Sequence, residues 1–315
     1  MQIIQDTREF QIEGRTAVAI GKFDGIHLGH QRLLSCIFDK KREGMKAVVF
    51  TFHPSAASFF GLSNGKELTT REEKRSYFEK MGIDILIEFP LNKETAAMPP
   101  KEFVREILVK KMHVGFIAAG TDLSFGSGGK GDSRLLFHMG SELGFFVHII
   151  DKVFYEKREI SSTYVREMVE QGDMCMVRNL LGRYYSFEGK VEQGNRLGRR
   201  LGMPTMNLYP CREKLLPPKG VYYSRLFFCG CTYPGITNIG KKPTVSDLDT
   251  ISVETYLYDF DKDMYGREIV TELLQFKRPE HKFETLVKLR EQMEKDIEEG
   301  RVYHRKRSED PVFPE

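Results

Sequence analysis

One stretch constrains this chain more than any other: Ala17 to Leu34, AVAIGKFDGIHLGHQRLL. Ala17 to Ile20 are small or apolar and read as a buried strand, which Gly21 breaks. Gly25, Gly29 and two histidines follow before an apolar-spaced helical run opens at Gln31. The order is therefore strand, glycine-rich turn, helix N-terminus. Free backbone N–H groups and the positive end of the helix make such a turn a site for phosphate. A helix starting near His27 puts His27 and His30 three residues apart, on one face of its first turn. Two imidazoles beside a phosphate can donate hydrogen bonds to charge that develops on phosphorus. Either histidine alone reads better as a residue that caps or packs in a solvated turn; the full G-x-F-D-G-x-H-x-G-H string after a strand reverses that and points to chemistry.

The string resembles the HxGH signature of class I nucleotidylyltransferases. In the longer form GKFDGIHLGHQ it resembles the bacterial bifunctional riboflavin kinase/FMN adenylyltransferase (FAD synthetase) family. Alone it does not separate that family from pantetheine-phosphate or glycerol-phosphate nucleotidylyltransferases, so the rest of the chain has to decide.

Helix and strand signals alternate through the first half. A helix to about Gly44 precedes the apolar run Lys46–Thr51, and Thr70 to Met81 is charged and helical, with Thr70 and Glu73 spaced as a capping box. Ile83–Phe89 and Val114–Ala119 read as strands, as does Phe145–Ile150; Phe103, Ile107 and Leu108 mark an amphipathic helix. Such alternation predicts an α/β domain with a parallel sheet whose ligand site lies at the carboxyl ends of the strands. Three stretches fall there. The first is the histidine turn. The second, Gly120 to Asp132, has five glycines in thirteen residues; it is a surface loop or a cover for a nucleotide. It resembles the family's G-x-D-F-x-F-G loop through Gly120, Asp122, Phe125 and Gly126, with Leu123 and Ser124 as departures. The third is Ile160–Arg166, ISSTYVR, where Ser162 or Thr163 can cap a helix running to about Gln171. Arg166 in that helix's first turn opposes the dipole unless an anion is nearby. It matches the family's ISST-x-x-R motif, which implies Ser162, Thr163 and Arg166 as phosphate contacts. The family's T-F-x-P-H-P stretch appears as Thr51-Phe52-His53-Pro54-Ser55-Ala56; its second half is lost and His53 receives no role.

Character changes near Arg183, after a helical stretch ending at Gly182. Six short strands follow, Tyr184–Val191, Thr205–Leu208, Gly220–Phe228, Cys231–Ile239, Thr250–Tyr258 and Glu268–Phe276. Gly, Pro and Asp turns separate them, and the pattern predicts a small antiparallel β-barrel with a terminal helix. That helix, about Glu280 to Glu299, places Phe283, Leu286, Val287, Met293 and Ile297 on one stripe, to be packed on the barrel, and stops at Gly300. The expected domains are 1–182 and 183–315, and 315 residues suffice for two cores.

Within the second half, Gly194 to Asn207 reads GNRLGRRLGMPTMN, a basic glycine-rich flap ending in Pro204-Thr205-x-Asn207. No G-K-[ST] follows, so it is not a Walker loop. Thr205 and Asn207, two apart, share a face if extended, as neutral oxygen ligands of Mg²⁺ require. The stretch resembles the riboflavin kinase signature G-x-x-x-G-R-x-L-G-x-P-T-A-N, with Met206 for the usual alanine. Further matches are Pro218-x-Gly220-Val221-Tyr222, Asn238-Ile239-Gly240 with Pro243-Thr244, Val253-Glu254, Asp259-Phe260 and Tyr265-Gly266. The resemblance implies ATP-dependent phosphorylation of riboflavin to FMN and adenylylation of FMN to FAD. It implies Mg²⁺ on Thr205 and Asn207, nucleotide contacts at Gly194, Arg199 and Gly202, and Glu254 as base. In the first half it implies His27 and His30 as catalytic, with Gly21, Phe23, Asp24, Gly29 and Asp122 at the nucleotide.

Composition excludes other classes. A net charge of +3, from 48 basic and 45 acidic residues, is too balanced for a nucleic-acid or membrane surface. Five cysteines without a C-x-x-C pair argue for neither a disulfide framework nor a zinc site; Cys229 and Cys231 are expected as buried reduced thiols. The start shows no cationic segment followed by an apolar one, so a cytoplasmic protein is expected. Two alternatives stay open: a kinase with a weak or lost adenylyl site, and a non-catalytic flavin-binding protein.

Overall fold

The structure is a computed structural model that describes residues 1–61, 65–194, 198, 201–241 and 251–308. The chain divides into two compact units, Met1–Val165 and Arg166–Glu315.

The first unit holds β1 (Gln2–Gln5), β2 (Thr16–Ile20), β3 (Lys46–His53), β4 (Ile85–Pro90) and β5 (Val114–Gly120). A short hairpin of β6 (Ser124–Phe125) and β7 (Gly131–Asp132) follows, then β8 (Phe146–Ile150) and a second hairpin of β9 (Phe154–Tyr155) and β10 (Arg158–Glu159). Six of these form one parallel sheet in the order β1-β4-β3-β2-β5-β8. The side-chain alternation of β2 explains its central place. Ala17 and Ala19 face Leu34, Ile37 and Phe78, whereas Val18 and Ile20 face Val104, Ile107 and Leu108. Both faces are covered by helices, so the strand reads as a continuous apolar run. Each such buried Leu, Ile or Phe contributes about 1.5–3 kcal/mol.

From β2 the chain moves to β3 and β4 on one side and returns to β5 on the other. The carboxyl end of β2 is therefore a topological switch point, where open α/β sheets bind their ligands. Thr70 and Glu73 form the expected capping box of helix Arg71–Lys80. Phe103–Lys111 is a π-helical stretch burying Phe103, Val104, Ile107 and Leu108. Strand β1 has no counterpart in the sequence reading: only four residues long, it is an edge strand held by β4.

The second unit opens with the rest of helix Ser162–Gln171 and helix Met174–Leu181, the latter closed by Gly182 in the left-handed region. Its strands are β11 (Tyr185–Lys190), β12 (Met206–Leu208), β13 (Gly220–Phe228), β14 (Cys231–Lys241), β15 (Ile251–Leu257) and β16 (Glu268–Pro279). They pair antiparallel in the order β11-β16-β13-β14-β15-β12. The bridge between Glu192 and Asn207 brings the chain after β11 to β12, so the sheet curls into a barrel. Inside it, Thr237 links the hydroxyls of Ser224 (2.7 Å) and Thr255 (2.8 Å).

Three expectations change here. The last helix spans Leu286–Ser308 and runs through Gly300. Gly300 is buried, and a Cβ there would strike the Tyr258 hydroxyl, so this glycine serves close approach, not helix termination. Leu286 and Val287 are exposed, at 53% and 65%; the docked part is the later turns, where buried Asp296 binds Lys277 (2.7 Å) and Arg278 (3.0 Å). Cys229 and Cys231 are exposed rather than buried. They flank Gly230 in the tight turn between β13 and β14, where Cys229 and Gly230 both have positive φ, a hairpin-turn conformation that lifts both thiols into solvent.

Candidate active site

The turn after β2 is pinned before it reaches the histidines. Gly21 donates to the Phe50 carbonyl (3.2 Å), and Phe23 is fully buried, edge-on to Phe78 at 5.6 Å. Asp24 ties the turn to a segment over forty residues away. Its Oδ1 accepts the N–H groups of Leu68 (2.8 Å) and Thr69 (3.4 Å), while the Thr69 hydroxyl accepts from Gly25 N–H (3.0 Å). The Ser162 hydroxyl donates to the Asp24 carbonyl at 2.8 Å. Phe23, Asp24 and Ser162 thus shape the turn.

His27 is the N-cap of helix Leu28–Arg42, and its Nδ1 accepts the N–H of His30 at 3.4 Å. An acceptor Nδ1 fixes the neutral tautomer: the proton resides on Nε2. The two imidazoles stack, centroids 3.8 Å apart and planes 23° from parallel. Gly29 allows this, since a Cβ there would lie 3.1 Å from the His27 ring.

Both histidines line a pocket of about 530 Å³ at the carboxyl ends of the strands, along with Gly21, Gly29, Asp122, Ser162 and Thr163. Its apolar wall comes from Phe52, Phe60, Phe89, Phe103 and Phe125, a surface suited to a flat aromatic ligand. The glycine-rich stretch belongs to the lining through Gly120–Gly126, Gly128 and Gly129. From the altered 51–56 stretch, Thr51, Phe52, Ser55 and Ala56 contribute. His53 is half-buried, and burial, reinforced by the Arg71 guanidinium, lowers its pKa.

The expected cap of helix Ser162–Gln171 moves back by one residue. Ser161 Oγ accepts from Tyr164 N–H (3.2 Å), leaving the Ser162 hydroxyl for Asp24. Arg166 is then the fifth residue of the helix, past the first turn, so opposition to the helix dipole no longer singles it out. It opens the second unit. Lys22 and Lys152 also line the pocket and escaped the sequence reading, because nothing in a turn lysine's own neighbourhood distinguishes it from a solvated one.

The second constellation lies on the barrel. Asn207 of β12 stands opposite Glu254 of β15, and Glu254 opposite Asn238 of β14, so the three share one cross-strand row. Directly opposite Cβ atoms are about 4.5–5.5 Å apart. Asn207 is buried, and its amide nitrogen donates to the Thr205 carbonyl (3.4 Å). Gly194 packs against that amide so closely that a Cβ would lie 2.6 Å from it. Glu254 is half-buried and accepts from the Ser252 hydroxyl at 3.1 Å, which is not the setting of a freely solvated strand glutamate. Gly202 has φ +82, a turn conformation natural to glycine. Arg199 lies outside the described residues, as do Arg196, Arg200, Pro243 and Thr244. Among the described residues, no group of three or more His, Cys, Asp or Glu could hold a metal ion, and no helix is long and apolar enough to cross a membrane.

Comparisons with known proteins place the chain in a family. The family model for FAD synthetase matches residues 9–164, and that for riboflavin kinase matches residues 181–304. The bifunctional riboflavin kinase/FMN adenylyltransferase of Buchnera aphidicola is 35% identical over 93% of this chain and 95% of its own length. That of Bacillus subtilis is 32% identical over 92% and 93%. Among solved structures, a Streptococcus pneumoniae protein described as a macrolide-efflux protein superposes with TM-score 0.82 and 27% identity, covering 93% of this chain and 96% of that one. With both family models matched in order and relatives alike over almost their whole length, the chain belongs to the bifunctional riboflavin kinase/FMN adenylyltransferase family.

Proposed function

We propose that the chain performs two successive transfers, from riboflavin to FMN in residues 183–315 and from FMN to FAD in residues 1–182. The observation that carries the second transfer is the stacked His27–His30 pair at a helix N-terminus, opening on a pocket at the sheet's switch point. FMN's phosphate attacks the α-phosphorus of ATP; the new P–O bond forms as the bond to pyrophosphate breaks. The nucleophile is already ionised, so the step needs charge stabilisation more than a base. His27, donating from Nε2, and His30 supply it at the α-phosphate, with Thr163 as a further phosphate contact. Asp24 and Ser162 act by holding the turn in register. The aromatic wall of the pocket takes the isoalloxazine.

In the barrel, the 5′-hydroxyl of riboflavin attacks the γ-phosphorus of ATP, and ADP leaves. Glu254 takes the hydroxyl proton, and the Ser252 hydrogen bond orients its carboxylate. Thr205 and Asn207 fit Mg²⁺. The Asn207 amide nitrogen is engaged by the Thr205 carbonyl, which leaves its oxygen as a hard neutral donor, and Glu254 stands across from it. The ion supplies charge neutralisation of the phosphates. Gly194 and Gly202 contribute to binding those phosphates, and Asp122 belongs to the loop at the adenylyl site. One preparation incubated with riboflavin and Mg-ATP, and separately with FMN and Mg-ATP, tests the reading by chromatography. FMN and FAD are expected from the first and FAD from the second; absence of FAD in both leaves a kinase alone.

A further inference from the structure

The charges lining the adenylyl-site pocket do not match two polyanionic substrates. Two lysines, Lys22 and Lys152, face three carboxylates, Asp122, Asp151 and Glu159. Lys152 is already spent on Glu159, with Nζ 2.7 Å from the carboxylate. Lys22 is exposed and carries no hydrogen bond or ion pair with any described residue. Its position is fixed even so. Gly21 before it is bonded to the β3 backbone, and Phe23 after it is locked in the core with φ +50. The turn therefore holds a lysine at the wall of the pocket that the histidine pair also lines, with no partner among the described residues.

We propose that Lys22 is a substrate-binding residue whose ammonium contacts a phosphate group in the pocket, either the phosphate of FMN or the triphosphate of ATP. The proposal rests on the adenylyl-transfer reading and adds a residue to it. The physical ground is that an attacking phosphate and a triphosphate must be brought together, and the pocket lining carries more carboxylates than lysines. A lysine kept free of carboxylates at the wall lowers that repulsion, and as a flexible point charge it follows the phosphate as the reaction proceeds. A lysine that is only solvated there could be replaced at no cost to substrate binding.

The test uses the full chain with Lys22→Gln and Lys22→Arg. FMN is varied at saturating ATP and ATP at saturating FMN, following FAD formation. Equilibrium binding of FMN and of ATP is measured on the same preparations by calorimetry. Lys22→Gln is expected to raise KM and Kd for one phosphate substrate roughly ten- to hundred-fold, the worth of a charge-assisted hydrogen bond. The substrate affected tells whether the contact is to FMN or to the triphosphate. Lys22→Arg should recover most of the loss, and riboflavin phosphorylation in the barrel should not change. Unaltered KM and Kd for both substrates in Lys22→Gln overturn the proposal, as does a loss that Arg cannot rescue. If wild-type protein forms no FAD, the adenylyl-transfer reading fails, and the binding measurements still decide whether Lys22 contacts phosphate.

Discussion

His27 plays two roles that one substitution can separate. Its Nδ1 caps helix Leu28–Arg42 by accepting the His30 N–H, and its ring lines the pocket, where the proposed mechanism uses Nε2–H as a donor. Asparagine is among the best N-cap residues, with an oxygen that can accept the same backbone N–H, but it has no donor at the Nε2 position. His27→Asn should therefore keep the cap and lose the donor. A transition-state donor of this kind is worth about 10²–10³ in kcat, or roughly 3–4 kcal/mol. His27→Ala should lose the donor and also about 1 kcal/mol of stability with the cap. The assay is FAD formation from FMN and Mg-ATP, with riboflavin phosphorylation and thermal melting recorded on each variant. The expected result for His27→Asn is near-native melting, intact riboflavin phosphorylation, and FAD formation down by two to three orders of magnitude. FAD formation at the wild-type rate in a well-folded His27→Asn would reduce His27 to a cap and refute the catalytic reasoning.

Glu254→Gln keeps the shape of the side chain and its place opposite Asn207 but loses the proton acceptor, so kinase kcat should fall roughly 10²–10⁴-fold while supplied FMN still becomes FAD. Steady-state kinetics with each substrate checks both parts, and an unchanged kinase rate rejects Glu254 as base. Glu88 is buried, which alone would raise its pKa, but hydrogen bonds from Arg75 and Arg71 outweigh burial and lower it. A depressed folded pKa contributes stability above the unfolded value near about 4.3, lost as pH falls through the folded value. The melting gap between wild type and Glu88→Gln should therefore narrow as pH drops from 6 to 3, and a gap that stays constant contradicts this. Gly300→Ala forces a methyl against the Tyr258 hydroxyl and should cost about 1–3 kcal/mol, read by denaturant unfolding.

What the sequence made legible was local. The apolar runs of β2 and β3, the Thr70–Glu73 capping box and the Gly182 helix end all depend on residues within a few positions of one another, and all are present. What escaped depends on distant partners. The Asp24 carboxylate spans to Leu68 and Thr69, and no spacing rule links positions so far apart. Strand β1 forms only because β4 offers it an edge. Gly300 follows a charged helical run, so a stop was the natural local reading; only the arrival of Tyr258, the residue after β15, makes it an interior packing position. Ser161 took the cap because Ser162 was claimed by the Asp24 carbonyl, a choice between adjacent hydroxyls that the sequence leaves open.

The same contrast explains why the glycines of both motifs were informative when so many glycines are not. Gly29 leaves room for the His27 ring to fold back over the helix start, where it caps and stacks at once. Gly194 leaves room for the Asn207 amide, which must turn its nitrogen toward the Thr205 carbonyl to present its oxygen. In each unit, a glycine's missing Cβ is occupied by the side chain proposed to do the chemistry. Alanine at either position would displace that side chain without removing it. A motif glycine beside a histidine or an asparagine thus encodes the position of a side chain within a few residues of chain, while the residues that brace those turns from afar leave no such local mark.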